Sequence, residues 1–336
     1  MIIIHTRQRF FVSKMLEFKS MGYRRIFNEL STVVVAFIIA LSTFLIVQTA
    51  FIETVSGAGS TANVTSTVTV GNSTPTVSAV SINGGSDITL IANATTTIYI
   101  NFTVTDVNGC NDVFLSGNTT GTAFRAGVGA LCTADNRNCY TVSTTTHNCS
   151  ANASTSVATA TIDIYYFADA TAASSSYPTQ YWEGYAAVRD ASGATSSATS
   201  TGVEVNVLTA LEVTTSSINY GTVSANSDTG ATNQTATTTN AGNSSTTLRL
   251  HAVSTLTSGS NSISTSSQRY STSSFTYAGT STALTDTAAT VSGFFLTNPT
   301  STSAVPQPTF WGLQVGAGTP TGTYNGITRF TSLWQP

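Results

Sequence analysis

Residues Val33 to Ile52 read VVVAFIIALSTFLIVQTAFI, twenty in a row without a formal charge, and no other feature constrains the chain so strongly. At about 1.5 Å of rise per helical residue the run covers roughly 30 Å, the thickness of a hydrocarbon core. The charge on its two sides is opposite. Residues 1–30 carry Arg7, Arg9, Lys14, Lys19, Arg24 and Arg25 against Glu17 and Glu29, a net of +4. From residue 31 onward there are six arginines, thirteen acids and no lysine, a net of −7. Cations collect on the cytoplasmic side of a spanning segment. Residues 1–30 are therefore expected in the cytoplasm, 31–52 as a transmembrane or signal helix, and the remainder outside the cell. Ser56-Gly57-Ala58 offers small residues for cleavage near Ala58, whereas the length of the run suits a retained single-pass anchor, so both fates stay open. Met21, ahead of Gly22-Tyr23-Arg24-Arg25, is an alternative start that leaves this partition unchanged.

Hydroxyls, rather than charges, keep the exported portion in water. Only 8% of the 336 residues are charged, where ordinary domains carry about 25%, while 108 are Ser or Thr. So few cations form no basic patch to neutralise phosphates, which excludes nucleic acid as a partner. With no lysine after Lys19, Schiff-base chemistry and lysine-derived isopeptide cross-links are excluded there as well. His147 and His251 are the only exported imidazoles, and neither a Gly-x-Ser-x-Gly elbow nor a His-Glu-x-x-His helix occurs. Asp163, Glu183 and Glu204 alternate outward on their strands, away from any shared pocket for glycoside hydrolysis. No catalytic residue and no cofactor is expected, and the chain reads as a non-enzyme.

After Ile52 the apolar residues alternate at period two between Gly, Asn, Asp and Ser punctuation, and nowhere hold helical spacing for three turns. The clearest strand is Thr97–Thr105, with Ile98, Ile100, Phe102 and Val104 on one face. Ala160–Tyr166, Trp182–Arg189 and Val203–Val207 repeat the pattern. One face buried and one wet implies antiparallel sheet, and Thr supplies the wet face because it is β-branched yet hydrogen-bonds water. Further strands are expected at Ile218–Val223, through Leu248 and Leu250, and at Trp311–Val315. The expected fold is all-β: two tandem antiparallel sandwiches, 76–209 and 210–336, after one hydrophobic helix at the amino terminus and a Ser/Thr/Gly-rich stalk at 53–75.

Asn240-Ala241-Gly242-Asn243 leading into a strand, and Gly318-Thr319-Pro320-Thr321-Gly322-Thr323-Tyr324 leading into the last one, resemble immunoglobulin-like domains of bacterial and archaeal cell-surface proteins. The region 77–208, with its Asp190-Ala191-Ser192-Gly193 turn, resembles a related module. Together these cover about four-fifths of the chain. The resemblance implies tandem sandwiches in a surface protein of S-layer, adhesin or stalk type, and it implies for Tyr324 the position of a tyrosine corner. Among such proteins it does not choose a role.

The candidate sites are few. Cys110, Cys132, Cys139 and Cys149 form an even set in an oxidising compartment, which predicts two disulfides; pairing of sequence neighbours, Cys110 with Cys132 and Cys139 with Cys149, is the expectation among three connectivities. No Cys-x-x-Cys pair supports zinc. Asp106, Asn108, Asn111 and Asp112 gather oxygen ligands in one loop, which hints at calcium, but the EF-hand glycine and closing glutamate are missing, so an ordinary Asn-Gly turn is the favoured reading and a calcium site the alternative. Tyr177, Tyr181 and Trp182 suggest a sugar-binding face, against which Trp182 lies in phase with Ala186 and Val188 as a core residue. Trp311 is placed likewise by Leu313 and Val315, and His251 is read as solvated. Nine Asn-x-Ser/Thr sequons occur, close to what chance gives in so Ser/Thr-rich a chain. The expected role is structural or adhesive, with copies of the chain, other envelope proteins or glycans as partners and the membrane contacted through 31–52. Two alternatives are carried. One is a type IV pilin-like subunit, suggested by Arg24-Arg25-Ile26-Phe27-Asn28-Glu29; the other is a carbohydrate-binding surface module.

Overall fold

The computed structural model describes residues 64–335 apart from 116, 117, 144 and 304; the basic segment 1–30, the apolar run 31–52 and the start of the stalk lie outside these. Among the described residues no helix is long and apolar enough to cross a membrane. Val64–Val70 belongs to one compact unit and everything from Gly71 to a second. The first of these is seen only as extended, exposed chain without secondary structure.

The second unit is built of antiparallel sheet. Its earlier strands are β1 (Thr76–Ile82), β2 (Thr95–Thr105), β3 (Thr119–Arg125), β4 (Cys139–Val142), β5 (Thr145–His147), β6 (Thr155–Tyr165), β7 (Trp182–Arg189) and β8 (Thr195–Thr199), with a single short helix, α1 (Cys110–Phe114), after β2. They form two four-stranded sheets, β1-β2-β6-β5 and β4-β3-β7-β8. Ile98, Ile100, Phe102 and Val104 of β2 and Ala158, Ala160, Ile162 and Ile164 of β6 turn one face inward, and Trp182, Ala186 and Val188 of β7 meet them in one core. The sheets approach closely where β7 has no side chain: a Cβ on Gly184 would stand 3.2 Å from Ile82 and 3.3 Å from Ile100. On the wet face Thr does the pairing, as where Thr97 Oγ1 donates to Asp163 Oδ1 at 2.5 Å.

The later strands are β9 (Leu211–Val213), β10 (Ser227–Asp228), β11 (Gln234–Asn240), β12 (Thr246–Ser258), β13 (Asn261–Ile263), β14 (Gln268–Ser271), β15 (Thr282–Ala283), β16 (Ala289–Thr290), β17 (Gln307–Val315) and β18 (Asn325–Trp334). One sheet runs β15-β14-β17-β11-β9 with β10 also on β17, and the other β13-β12-β16 with β18 on β12. Trp311 is fully buried between Leu248, Leu250, Tyr270 and Phe294. Its indole N–H donates to Thr309 Oγ1 at 2.9 Å, and that hydroxyl donates to Ala236 O at 3.1 Å. The Tyr324 hydroxyl donates to Pro320 O at 3.0 Å.

Three local expectations are corrected. Val203–Val207 is not a strand: only Val203 and Val205 form single bridges, to Trp182 and Ile88, so the valines seal the core without joining a ladder. Ile218–Val223 also forms no strand, although Ile218, Tyr220 and Val223 still pack on the later cores. His251, read as solvated on the face opposite Leu248 and Leu250, is half-buried with its Nδ1 enclosed.

Candidate functional site

All four cysteines are bridged, but not as Cys110 with Cys132 and Cys139 with Cys149: Cys110 pairs with Cys149, and Cys132 with Cys139 nested inside that loop. The ladder between β2 and β6 explains the first bond. That ladder runs to Thr105 opposite Thr155, so the segments just beyond it are held side by side, and Cys110 N–H donates to Ala153 O at 2.7 Å. The second bond closes a short loop ahead of β4. His147, the imidazole nearest these bridges, stacks on Phe114 with ring centroids 4.1 Å apart, and its Nδ1 accepts the Cys149 N–H at 3.3 Å. It packs and caps.

Asp169 anchors the earlier core. Its carboxylate accepts Arg125 Nε at 3.1 Å and Arg137 Nη2 at 2.8 Å, while its carbonyl accepts the Trp182 indole N–H at 2.8 Å. Arg125 also lies over the Tyr177 ring at 3.7 Å and donates to Gln180 Oε1. Tyr177 thus serves an internal cation, while Tyr181 is 50% exposed and Trp182 is fully buried. Of the aromatic trio Tyr181 is exposed and Tyr177 partly so, while Trp182 is closed off. Asp163 and Glu183 do not join this centre, and neither do the histidines. Nothing in the local sequence marks Asp169 as different from other acids.

The joint between the two sheet pairs is made by the Asn240–Asn243 turn. Asn243 is 3% exposed. Its amide donates to Ala168 O at 3.1 Å and to Asn206 O at 3.0 Å, and its Oδ1 accepts the Leu208 N–H at 2.6 Å. Gly242 lies so close to Leu208 O that any Cβ would collide with backbone. Beside this joint an open cleft of about 330 Å³ is lined by Asp169, Tyr177, Asn243, Asn298 and Trp334 together with the Ser174–Ser176 hydroxyls.

At the other end of the earlier sheet pair three acids converge. Asp106 follows β2, Asp112 sits in α1 and Asp190 follows β7, and one carboxylate oxygen from each lies within 4.8 Å of the others. Asp106 Oδ1 accepts the Asn108 N–H at 2.8 Å, and Asp190 accepts Asn72 Nδ2 at 2.9 Å and the Ala194 N–H at 2.8 Å. Burial raises the Asp106 carboxyl above its ordinary range, opposed by the Asn108 N–H and reinforced by the charges of Asp112 and Asp190. The Asn72 amide lowers Asp190, burial opposes it, and backbone N–H groups of its own turn add to the lowering. The Asp106–Asp112 loop was readable as an oxygen-rich turn; that Asp190 joins it was not.

No protein-family model matches the chain, and no curated protein matches it in sequence.

Proposed function

We propose that the chain is an exported cell-surface protein with a structural or adhesive role, presenting two tandem immunoglobulin-like sandwiches as one stiff unit, possessing no enzymatic activity and associating with copies of itself or with other envelope molecules. The observation that carries the reading is the joint. Asn243 spends its whole side chain on backbone of the preceding module, an arrangement suited to holding a fixed angle rather than to hinged domains. Two disulfides without a free cysteine support an oxidising location. A hydroxyl-rich surface of low charge lets neighbours pack closely without strong repulsion. Antibody against residues 210–336 should label intact cells, and imaging of the native envelope should reveal a repeating array or regular projections containing the protein. Labelling confined to permeabilised cells contradicts the reading. Mass spectrometry of the mature amino terminus separates its variants: a start near Gly59 marks a cleaved signal, and a start near Arg25 or Ile26 with the apolar run retained marks the pilin-like alternative.

A second reading, glycan binding, rests on the cleft beside the joint, where the Trp334 and Tyr177 rings stand among serine hydroxyls. Glycans that bind there should quench Trp fluorescence, and Trp334→Ala should abolish that response.

A further inference from the structure

We propose that Asp106, Asp112 and Asp190 form a calcium site at the point where the chain enters the earlier sheet pair. Three like-charged groups are gathered within 4.8 Å, and two of them, Asp106 and Asp190, are each 1% exposed. Buried anions at such separations need a counter-charge. One oxygen of the group is without any: Asp106 Oδ2 is enclosed and accepts no hydrogen bond. The donors that meet Asp190, the Asn72 amide and the Ala194 N–H, are neutral, so they orient the carboxylate without cancelling its charge. Arg125 and Arg137 are committed to Asp169.

The donor set selects the ion. Carboxylate oxygens without imidazole or thiolate suit hard cations. Calcium takes about six to eight oxygen ligands in flexible geometry, whereas magnesium demands a near-ideal octahedron, keeps several of its waters and usually meets only one or two carboxylates. Three carboxylates gathered together therefore suit calcium. The ligands come from both sheets, because Asp106 extends β2 and Asp190 extends β7. A cation there clasps the open end of the core. It also holds the entering chain, since Asn72 bonds Asp190, Ser73 N–H donates to Asn108 Oδ1 at 2.6 Å, and Asn108 Nδ2 donates to Gly71 O at 3.1 Å. Binding is a property of the fold wherever the protein resides; only its occupancy in the cell depends on export to a calcium-rich medium.

The test is a thermal melt of the full chain in detergent, stripped with EDTA and titrated with CaCl2 at constant ionic strength, with MgCl2 as the comparison. A dissociation constant on the order of 10⁻⁴ M, usual for extracellular calcium modules, gives about a 100-fold gain in the folded-to-unfolded ratio at 10 mM, read as a rise in Tm of about 5 °C. Asp106→Asn and Asp112→Asn should each remove the rise. Asp112 is only half-buried, so its variant keeps the test sound if the Asp106 variant fails to fold. Equal melts in EDTA and in 10 mM CaCl2 overturn the proposal, because the cluster then holds a proton in place of a metal. An equal response to MgCl2, or a calcium response that persists in Asp112→Asn, overturns it too.

Discussion

Around Trp182 and around Trp311 the chain solves the same problem with different means. Each tryptophan is fully buried between two sheets. The earlier sheet pair adds two disulfides, a buried carboxylate shared by two arginines, and the three-acid cluster. Among the described residues the later pair has no disulfide, ion pair or acidic cluster of these kinds, though both pairs enclose threonines, Thr122 and Thr171 in one and Thr238 and Thr309 in the other. The difference follows from what lies between the strands. Between Arg125 and Thr155 the earlier pair has only the short strands β4 and β5 and few apolar residues, too little surface to order the stretch by burial alone; Arg137, both cysteines of one bridge and one cysteine of the other fall there. The later pair closes on a nine-residue β17 and a ten-residue β18. Cross-links appear where hydrophobic area is scarce.

The largest test of this contrast is to remove the bridges. In the chain-entropy model the loop closed by Cys110–Cys149 is worth about 4 kcal/mol and that closed by Cys132–Cys139 about 2.5 kcal/mol. Replacing all four cysteines by serine should accelerate hydrogen exchange in β7 and leave β17 nearly unchanged; equal acceleration in both would break the contrast. Asp169→Ala leaves Arg125 buried without its carboxylate and should destabilise the earlier pair by about 4 kcal/mol, measured by denaturant unfolding. Asn243→Ala tests whether the two halves are separable. It strands Ala168 O, Asn206 O and Leu208 N–H, should cost about 2 kcal/mol, and should split a single unfolding transition into two. The smallest effect is one the halves share. Burial raises the Tyr140 and Tyr220 phenols well above their ordinary value, the Tyr165 N–H opposing this at Tyr140. A raised pKa means the unfolded chain releases the proton first, so the stability is complete below pH 10 and declines above it. By pH 11 each half should lose about 1 kcal/mol, seen as a lower denaturant midpoint that Tyr140→Phe relieves only in the earlier pair.

Trp182–Arg189 was legible in the sequence to the residue, and so were the inward faces of β2 and β6, because strict alternation over seven or more residues leaves one solution. The extent of α1 was not, since five residues are too few to show a helical period. Short strands such as β10, β15 and β16 escaped for the same reason. The disulfide partners and the approach of Asp190 to Asp106 depend on which strands pair and in what register, a long-range property with no local signature. Asn243 was visible as part of a turn, yet its work as a joint required the opposing carbonyls to be known.

One consequence follows from the way β12 meets β18. Thr246 pairs with Trp334 and Leu250 with Phe330, so β12 has no neighbour along most of that edge until Asn325–Trp334 is in place. The earlier half has all its core partners once Val205 is available. The earlier core can therefore close on its own residues, while the later sheet keeps one long flank uncovered until its closing ribbon is laid down.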